Sequence, residues 1–556
     1  MTVLLRYVPV AVLLFAWVVS HAGEIRGRIV DKSGRPLAAR LYVQSKSGKY
    51  FLAEGTDGSR HTHYHKDRGG SVEVHTALDK GSFQAIVPEG EYTLTIERGK
   101  EYFSARRKVI VGSEPVEFEI RLNRWIDMAE RGWFSGDTHI HLPLKNLDVF
   151  TQAEDLNVAF PLTGWVRNAY DSPVGAYAQE GKVATELITV DETHLIYPLN
   201  TEWEIFTVDR KRHTLGALFA IGHKKPFTLG APLVKPIAEE ARRQGALLEL
   251  DKHNWPWSMM LMPVANVDLF ELTNNHVWRT NFMFKSWYPE YTAPYMNVPK
   301  DRDGNFASER AWLEFGFRNY YTLLNCGFKM RPTGGTASGV HPVPVGFGRV
   351  YVECPDGFSY ENWLNNLDAG RSFVTTGPML SLNIDGKPMG ASLKFDNSIP
   401  RSVHLKGEVL SEHPIATVEV IVNGRVARWW RPAENRLAHG SFQAAIDLKQ
   451  NLSTSSWVVV RVFSKLPNGR SRFAHSSPVH IGVEGRPLRP TKAETQYLIK
   501  RVEDELKRHQ GVLKEEDLAE FQEALAVYKE LDKTADGTPH LDIRVPGLAP
   551  TRSPVK

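Results

Sequence analysis

Apolar and polar residues alternate in different ways along the chain, and each change of pattern marks a change of element. From 23 to 122 the period is two: I-R-G-R-I-V, A-R-L-Y-V-Q, S-F-Q-A-I-V-P-E-G-E-Y-T-L-T-I and V-E-F-E-I-R-L, broken by turn residues such as D-K-S-G-R-P. Strands with one face in a core and one in water carry this alternation, so the spacing predicts a small β-sandwich. From 123 to 380 the apolar runs lengthen into A-E-D-L-N-V-A-F-P-L-T-G-W, V-A-T-E-L-I-T-V, L-G-A-L-F-A-I-G-H, G-A-L-L-E-L-D-K-H and A-N-V-D-L-F-E-L-T-N-N-H, each ending near polar residues. The segment P-L-V-K-P-I-A-E-E-A-R-R-Q-G reads as a helix that stops at Gly245, since glycine accommodates the left-handed residue that closes a helix. Buried strands separated by helices predict a parallel α/β layer or barrel, with functional groups at the strands' C-terminal ends.

Period two returns from 381 to 485, in A-T-V-E-V-I-V-N-G-R-V-A-R-W-W and S-S-W-V-V-V-R-V-F-S-K, with Asn423-Gly424 as a hairpin turn. This predicts a second β-sandwich. Trp429 and Trp430 offer a sugar-stacking surface, but neighbours on a strand face opposite ways, which sends one of them to the core. From 486 to 536, Thr491 to Glu494 form a capping box, and Leu498, Val502 and Leu506 share one face of the helix it opens. A second helix from about Lys514 carries Leu518, Phe521, Leu525 and Tyr528, giving a helical hairpin. Residues 537–556 read as a flexible tail. The chain is thus expected to be a multidomain α/β plus β protein.

Composition narrows the class. At 42% hydrophobic and 24% charged the chain is ordinary globular protein, and its formal net charge of +4, without a long basic run, speaks against nucleic acid as a partner. The start M-T-V-L-L-R, the apolar run Tyr7 to Val19 and the small-x-small pattern Ser20-His21-Ala22 read as a signal peptide over 1–22. An uncleaved anchor is the alternative, and no later segment reads as membrane-spanning. Export would permit a disulfide, but the two cysteines, Cys326 and Cys354, read as buried small apolar residues. His61, His63 and His65, with His75 downstream, lie among Gly, Arg and Lys and read as a solvated loop rather than a metal tract.

The candidate chemistry lies in Gly132–His141, G-W-F-S-G-D-T-H-I-H. On a strand end, Asp137, His139 and His141 fall on one face and Thr138 and Ile140 on the other. Two neutral imidazoles one residue apart can hold a transition metal, with an acid offsetting its charge. The plain alternative is a polar strand end whose histidines bond to solvent or carbonyls.

W-F-S-G-D-T-H-I-H, the following A-E-D-L-N-V-A, L-N-C-G-F, and G-F-S-Y-E-N-W-L-N-N-L-D-A-G-R-S-F-V-T-T-G-P together resemble the CehA/McbA-type metallohydrolases of the PHP (polymerase and histidinol phosphatase) superfamily. The segment 23–122 is similar to carboxypeptidase-regulatory or transthyretin-like modules. The first resemblance implies a distorted PHP-like β/α barrel over 123–380, flanked by the two sandwiches. It implies a metal centre in which His139 and His141 are the opening ligand pair. Glu204, preferred to Glu202 because E-I-F-T resembles the family's E-x-T, His213, His253 and His341 are its further ligands. An acid followed by histidine is expected next in the family, where this chain has Leu162-Thr163-Gly164-Trp165, and the late G-x-D-x-H lacks its aspartate.

Without those aspartates fewer ions are expected, and a His-rich set suits a single Zn, with Mn or Fe as alternatives. Asp137 or Glu271 would serve as general base, or orient ligands, as would His276. His223, Glu249 and Asp251 are given structural roles, and Trp255 and Trp257 either wall a pocket or fill the core. The resemblance implies a hydrolase of ester, amide or carbamate bonds, and the N-terminal segment an exported one, periplasmic or secreted, acting on a small molecule or extracellular polymer. A phosphoesterase would need Arg or Lys donors near the ligands, for which Lys329 and Arg331 are the candidates. The rival of another class is a non-catalytic extracellular binding protein on a degenerate scaffold.

Overall fold

The computed structural model describes residues 22–68, 71–179, 183–282, 308–396 and 401–536. The segment read as a signal peptide, apart from its last residue, and the segment read as a flexible tail lie outside them.

In the N-terminal part, strand Ala22–Val30 lies between Val116–Arg121 and Ser82–Pro88 in one sheet. A second sheet runs Ser59–Arg68, Ser71–Leu78, Ala39–Ser45, Gly90–Glu97, Ala105–Val111. Inward residues of both sheets, among them Ile25, Ile29, Leu41, Val43, Leu94 and Ile96, are fully buried together. This is the sandwich that period two predicts. The histidine tract differs from expectation. His61 and His63 stand on the strand Ser59–Arg68, paired with Val74 and its neighbours, and His75 is buried with its ring 5.2 Å from Tyr42. The apolar partner V-E-V-H-T-A-L supplies the ladder that the polar tract would not form alone.

The central part holds two sheets. One runs Gly164–Asn168, Thr201–Val208, Lys211–Ile221, Leu247–Leu250, Leu269–Thr273, Arg331–Gly334. It is mixed rather than parallel, because Lys211–Ile221 pairs antiparallel with both neighbours. The helix Lys235–Gln244 leads into Leu247–Leu250 and stops at Gly245, whose φ is +72°. The other sheet runs Ile188–Asp191, His194–Ile196, Val158–Pro161, Trp133–Ile140, Arg349–Glu353, Ser372–Thr375. The two meet beside the H-x-H strand: Ala337 N–H donates to His139 O at 2.7 Å, and Leu162 N–H to Ile140 O at 2.8 Å.

The second of these sheets does not end with the central part. Ser372–Thr375 pairs with Ser471–Ser476, and the ladder continues through Ser456–Lys465 and Ile415–Val422 to Arg425–Trp430. Against this layer packs the sheet Lys387–Pro388, Met379–Ile384, Arg401–Ser411, Phe442–Leu452. Asn423 and Gly424, with φ of 49° and 81°, form the expected hairpin turn, and Trp430 packs on the core. Cys326 and Cys354 are free and buried.

Thr491 and Glu494 form the capping box of helix Lys492–His509, which pairs with helix Glu515–Thr534. The hairpin is fastened to the central part: Tyr528 donates to Met259 O at 2.6 Å and Arg501 to Trp255 O at 2.9 Å. Among the described residues no helix is long and apolar enough to cross a membrane.

Candidate metal centre

Every residue of strand Trp133–Ile140 is buried, so its polar groups must find partners inside the protein. Asp137 finds four. It accepts the backbone N–H of His139, Thr336 and Gly346 at 3.0, 3.2 and 2.8 Å, and the Thr336 hydroxyl at 2.6 Å. Burial pushes its carboxyl up to about 6 while these bonds pull it down. Its acceptor sites are used in binding the turn after Gly335 to the H-x-H strand, so Asp137 is a bracket rather than a base.

His139 Nδ1 lies 3.0 Å from Glu271 Oε2, which fixes the ring, and its Nε2 lies 3.2 Å from His141 Nε2. His141 Nε2 is in turn 3.2 Å from Glu202 Oε2. Burial holds His139 well below the usual imidazole range and His141 down at about 4, so both rings are neutral at pH 7. One donor atom each from His139, His141 and Glu202 lie within 4.8 Å of one another, and the same holds for His139, Asp251 and Glu271.

Around the rings are four enclosed carboxylates, Glu202, Glu204, Asp251 and Glu271, with a single buried ammonium, Lys252, among them. Among the described residues, nothing donates a well-formed hydrogen bond to either oxygen of Glu202, to Oδ1 of Asp251 or to Oε1 of Glu271. Burial raises Glu202 to about 8 and Glu271 well above the ordinary carboxylate range. Burial works against the charge on Lys252 too, but Asp251, Glu204 and Glu202 outweigh it and keep the ammonium protonated. Buried carboxylates without hydrogen bonds are costly, and one divalent cation at the focus of His139, His141 and Glu202 would satisfy both nitrogens and the Glu202 oxygen that faces them. The residues present therefore fit a metal ion.

Two local features build this focus. Gly335 lets the two sheets close in, since a Cβ there would lie 2.3 Å from His139 Cβ and 3.0 Å from Glu271 Oε1. The centre also has an approach: a cavity of about 330 Å³ is lined by His141, Leu162, Trp165, Arg167 and Val340 among others. The Trp165 ring lies 4.5 Å from that of His141, its Nε1 donates to Glu204 at 3.2 Å, and the exposed Arg167 guanidinium lies 4.8 Å from it.

Of the expected ligands, His139 and His141 converge and Glu204 lies beside them, held by Trp165 and by Lys252 at 2.9 Å. His213 is elsewhere, with its Nε2 2.8 Å from His509 Nδ1 of the helical hairpin. His253 is enclosed by Phe270, Trp312 and Phe315 and bonded to Asn319 at 2.8 Å. His341 stays near enough to lower His139, but pairs with Asn275 at 3.4 Å outside both ligand groups. Glu271 is the group that orients His139, and His276 bonds Asn274 at 2.9 Å. Arg331 is committed to Asp368, and Trp257 fills the core against Gly216. His223 (on Tyr177 and Thr201) and Glu249 (on Thr138 and Thr333) have the structural roles expected of them.

The sequence prefers Glu204 to Glu202 and gives Asp251 a structural role, whereas the structure brings Glu202 and Asp251 into the ligand groups and sets Lys252 between them. Glu202 carried a signal, because E-W-E on a strand puts Glu202 and Glu204 on one face and no choice between them was needed. Asp251-Lys252, just past the strand Leu247–Leu250, stands where strand ends deliver functional groups. Comparison of the chain with protein-family models and with curated proteins finds no match.

Proposed function

We propose that this protein is a metal-dependent hydrolase of the CehA/McbA kind, with His139, His141 and Glu202 holding a divalent cation, zinc by preference. The observation that carries this reading is the convergence of two neutral imidazoles on a carboxylate to which no described group donates a hydrogen bond, with His141 lining a cavity. A cation held there would polarise a substrate oxygen and lower the pKa of water toward neutrality.

The chain's own groups support hydrolysis around that point. Glu271 accepts from His139 Nδ1 and so turns the Nε2 lone pair toward the centre. Asp251, in the ligand group with His139 and Glu271, is the carboxylate that would take a proton from an attacking water. Trp165 offers an apolar wall for the acyl or alkyl part of an ester, amide or carbamate. Arg167 on the same cavity favours a second reading, a phosphoester substrate whose charge the guanidinium meets. The apolar segment at 1–22 supports an exported protein.

The test is metal analysis of the purified full chain, then hydrolysis of 4-nitrophenyl acetate and bis(4-nitrophenyl) phosphate with and without chelator. Bound metal and chelator-sensitive turnover, both lost in His139→Ala and His141→Ala, are expected. Metal without turnover would leave a binding protein, and no metal under any added ion would overturn the reading altogether.

A further inference from the structure

We infer that Lys252 stands in the place of a second metal ion and limits the centre to one. The inference rests on the metal reading above and concerns a residue that reading does not need.

The Lys252 side chain is 5% exposed, and its Nζ lies 2.9 Å from Glu204 Oε1, 3.7 Å from Glu202 Oε1, and in direct contact with Asp251 Oδ2. An ammonium has three N–H donors and no acceptor; Asp251 and Glu204 lie within reach of two of them, and Glu202 Oε1 faces the same charge from beyond hydrogen-bond distance. Glu202 is the link. Its Oε2 faces His141 while its Oε1 faces Lys252, and neither oxygen is taken by a hydrogen bond. In a two-metal hydrolase such a carboxylate spans two cations about 4 Å apart. Here one of its oxygens is turned to the imidazole pair and the other to a covalently tethered charge.

Space and charge then work together. A divalent ion needs carboxylate oxygens at about 2.0–2.2 Å, and the volume into which Glu202, Glu204 and Asp251 would have to contract is filled by Nζ. A second dication beside a fixed ammonium would also meet strong repulsion in a buried site. With one dication and Lys252, the four carboxylates around the rings are nearly neutralised. An ammonium, unlike a metal, is inert to exchange and chelation, so one side of the centre keeps its charge whatever the metal supply.

Equilibrium dialysis of the full chain against Zn²⁺, with metal counted by mass spectrometry, tests the inference. Wild type and Lys252→Arg are expected to hold about one ion per chain, and Lys252→Ala and Lys252→Ser about two. Two ions in wild type, or only one in folded Lys252→Ala and Lys252→Ser, would overturn it while leaving the metal reading intact. No ion in wild type would overturn the metal reading instead. If both small variants fail to fold, a Co²⁺ titration of wild type decides: saturation at about one equivalent with an uncoupled electron-spin signal supports the inference, and a spin-coupled pair defeats it.

Discussion

Glu202 Oε2 lies 3.2 Å from His141 Nε2, yet neither Glu202 oxygen accepts a hydrogen bond from it or from any other described group. The approach is close but off the line an N–H needs, and it suits two ligands turned toward a third body. Glu202→Gln keeps the size and removes the charge. Zinc affinity is expected to fall at least about 100-fold, measured by competition with a chromophoric chelator. The metal-free protein should respond in the opposite sense. Burial raises the Glu202 carboxyl to about 8, above its unfolded value, so its contribution to stability is present below about 4.5 and is lost as pH rises through 8. Metal-free Glu202→Gln should therefore gain in melting temperature over wild type from pH 6 to pH 9. A parallel pH profile of the two proteins would contradict this.

On the proposed reading Glu271 acts through His139 rather than as a ligand with His139, His141 and Glu202. Its Oε2 is 3.0 Å from His139 Nδ1, and glutamine could still accept that N–H through its amide oxygen. Glu271→Gln is expected to weaken metal binding about tenfold and Glu271→Ala up to about 100-fold, the range for carboxylates that orient a ligating imidazole. Isothermal titration with Zn²⁺ separates this graded loss from the near-complete loss expected of His139→Ala.

What was legible in the sequence was what neighbours in the chain decide. The capping box at Thr491 and Glu494, the stop at Gly245 and the Asn423-Gly424 turn depend on a few adjacent residues, and each lies where its pattern puts it. Period two likewise brought His139 and His141 to one focus. Asp137 has the same parity, but the strand pairing slips between Asp137 and Ile140, and the Thr336 turn captures its carboxylate. Glu202, Asp251 and Lys252 come from two strands separated by Lys211–Ile221 in the sheet, and no local pattern says which strand ends face each other. His213 and His509 show the same limit, since only the docking of the hairpin makes them neighbours. The pairing of Ser372–Thr375 with Ser471–Ser476 joins segments about a hundred residues apart, with no signature in either.

His75 makes the junction of the N-terminal and central parts sensitive to acid. Its ring is buried beside Glu73 (Nδ1 to Oε2 3.3 Å), in a network where Tyr42 and Arg279 also bond Glu73 and Arg40 reaches Glu97 and Glu154. Burial holds His75 down at about 4, while the neighbouring Arg279, against burial, holds Glu73 down at about 2. A histidine lowered on folding contributes stability above about 6.5 that is lost as pH falls toward 4, and the lowered Glu73 adds a loss from about 4.5 toward 2. Both act in one direction. His75→Gln cannot charge, so the part of the loss between pH 6.5 and 4, on the order of 3 kcal/mol, should vanish in denaturant titrations at pH 7 and pH 4. An unchanged difference between the two pH values would place the acid sensitivity elsewhere.

Gly335 tests whether the closeness of the two sheets makes the centre. A Cβ at this position would lie 2.3 Å from His139 Cβ, where the obstacle is a strand rather than the far end of a flexible side chain, and 3.0 Å from Glu271 Oε1. The backbone has little freedom to yield, because Gly335 N–H donates to Thr273 O at 3.0 Å and Ala337 N–H to His139 O at 2.7 Å. Gly335→Ala must therefore push the turn off the H-x-H strand and part His139 from Glu271, at about 1–3 kcal/mol of overpacking. Gly175→Ala is the matched control: nothing lies within 4 Å of its added Cβ, and it sits in the helix Val174–Gln179, where alanine is the better residue. The expected result is a lower melting temperature and at least tenfold weaker zinc binding for Gly335→Ala, against unchanged binding for Gly175→Ala. Zinc affinity retained in Gly335→Ala despite the lowered melting point would show that the His139–Glu271 contact is not what tunes the ligands.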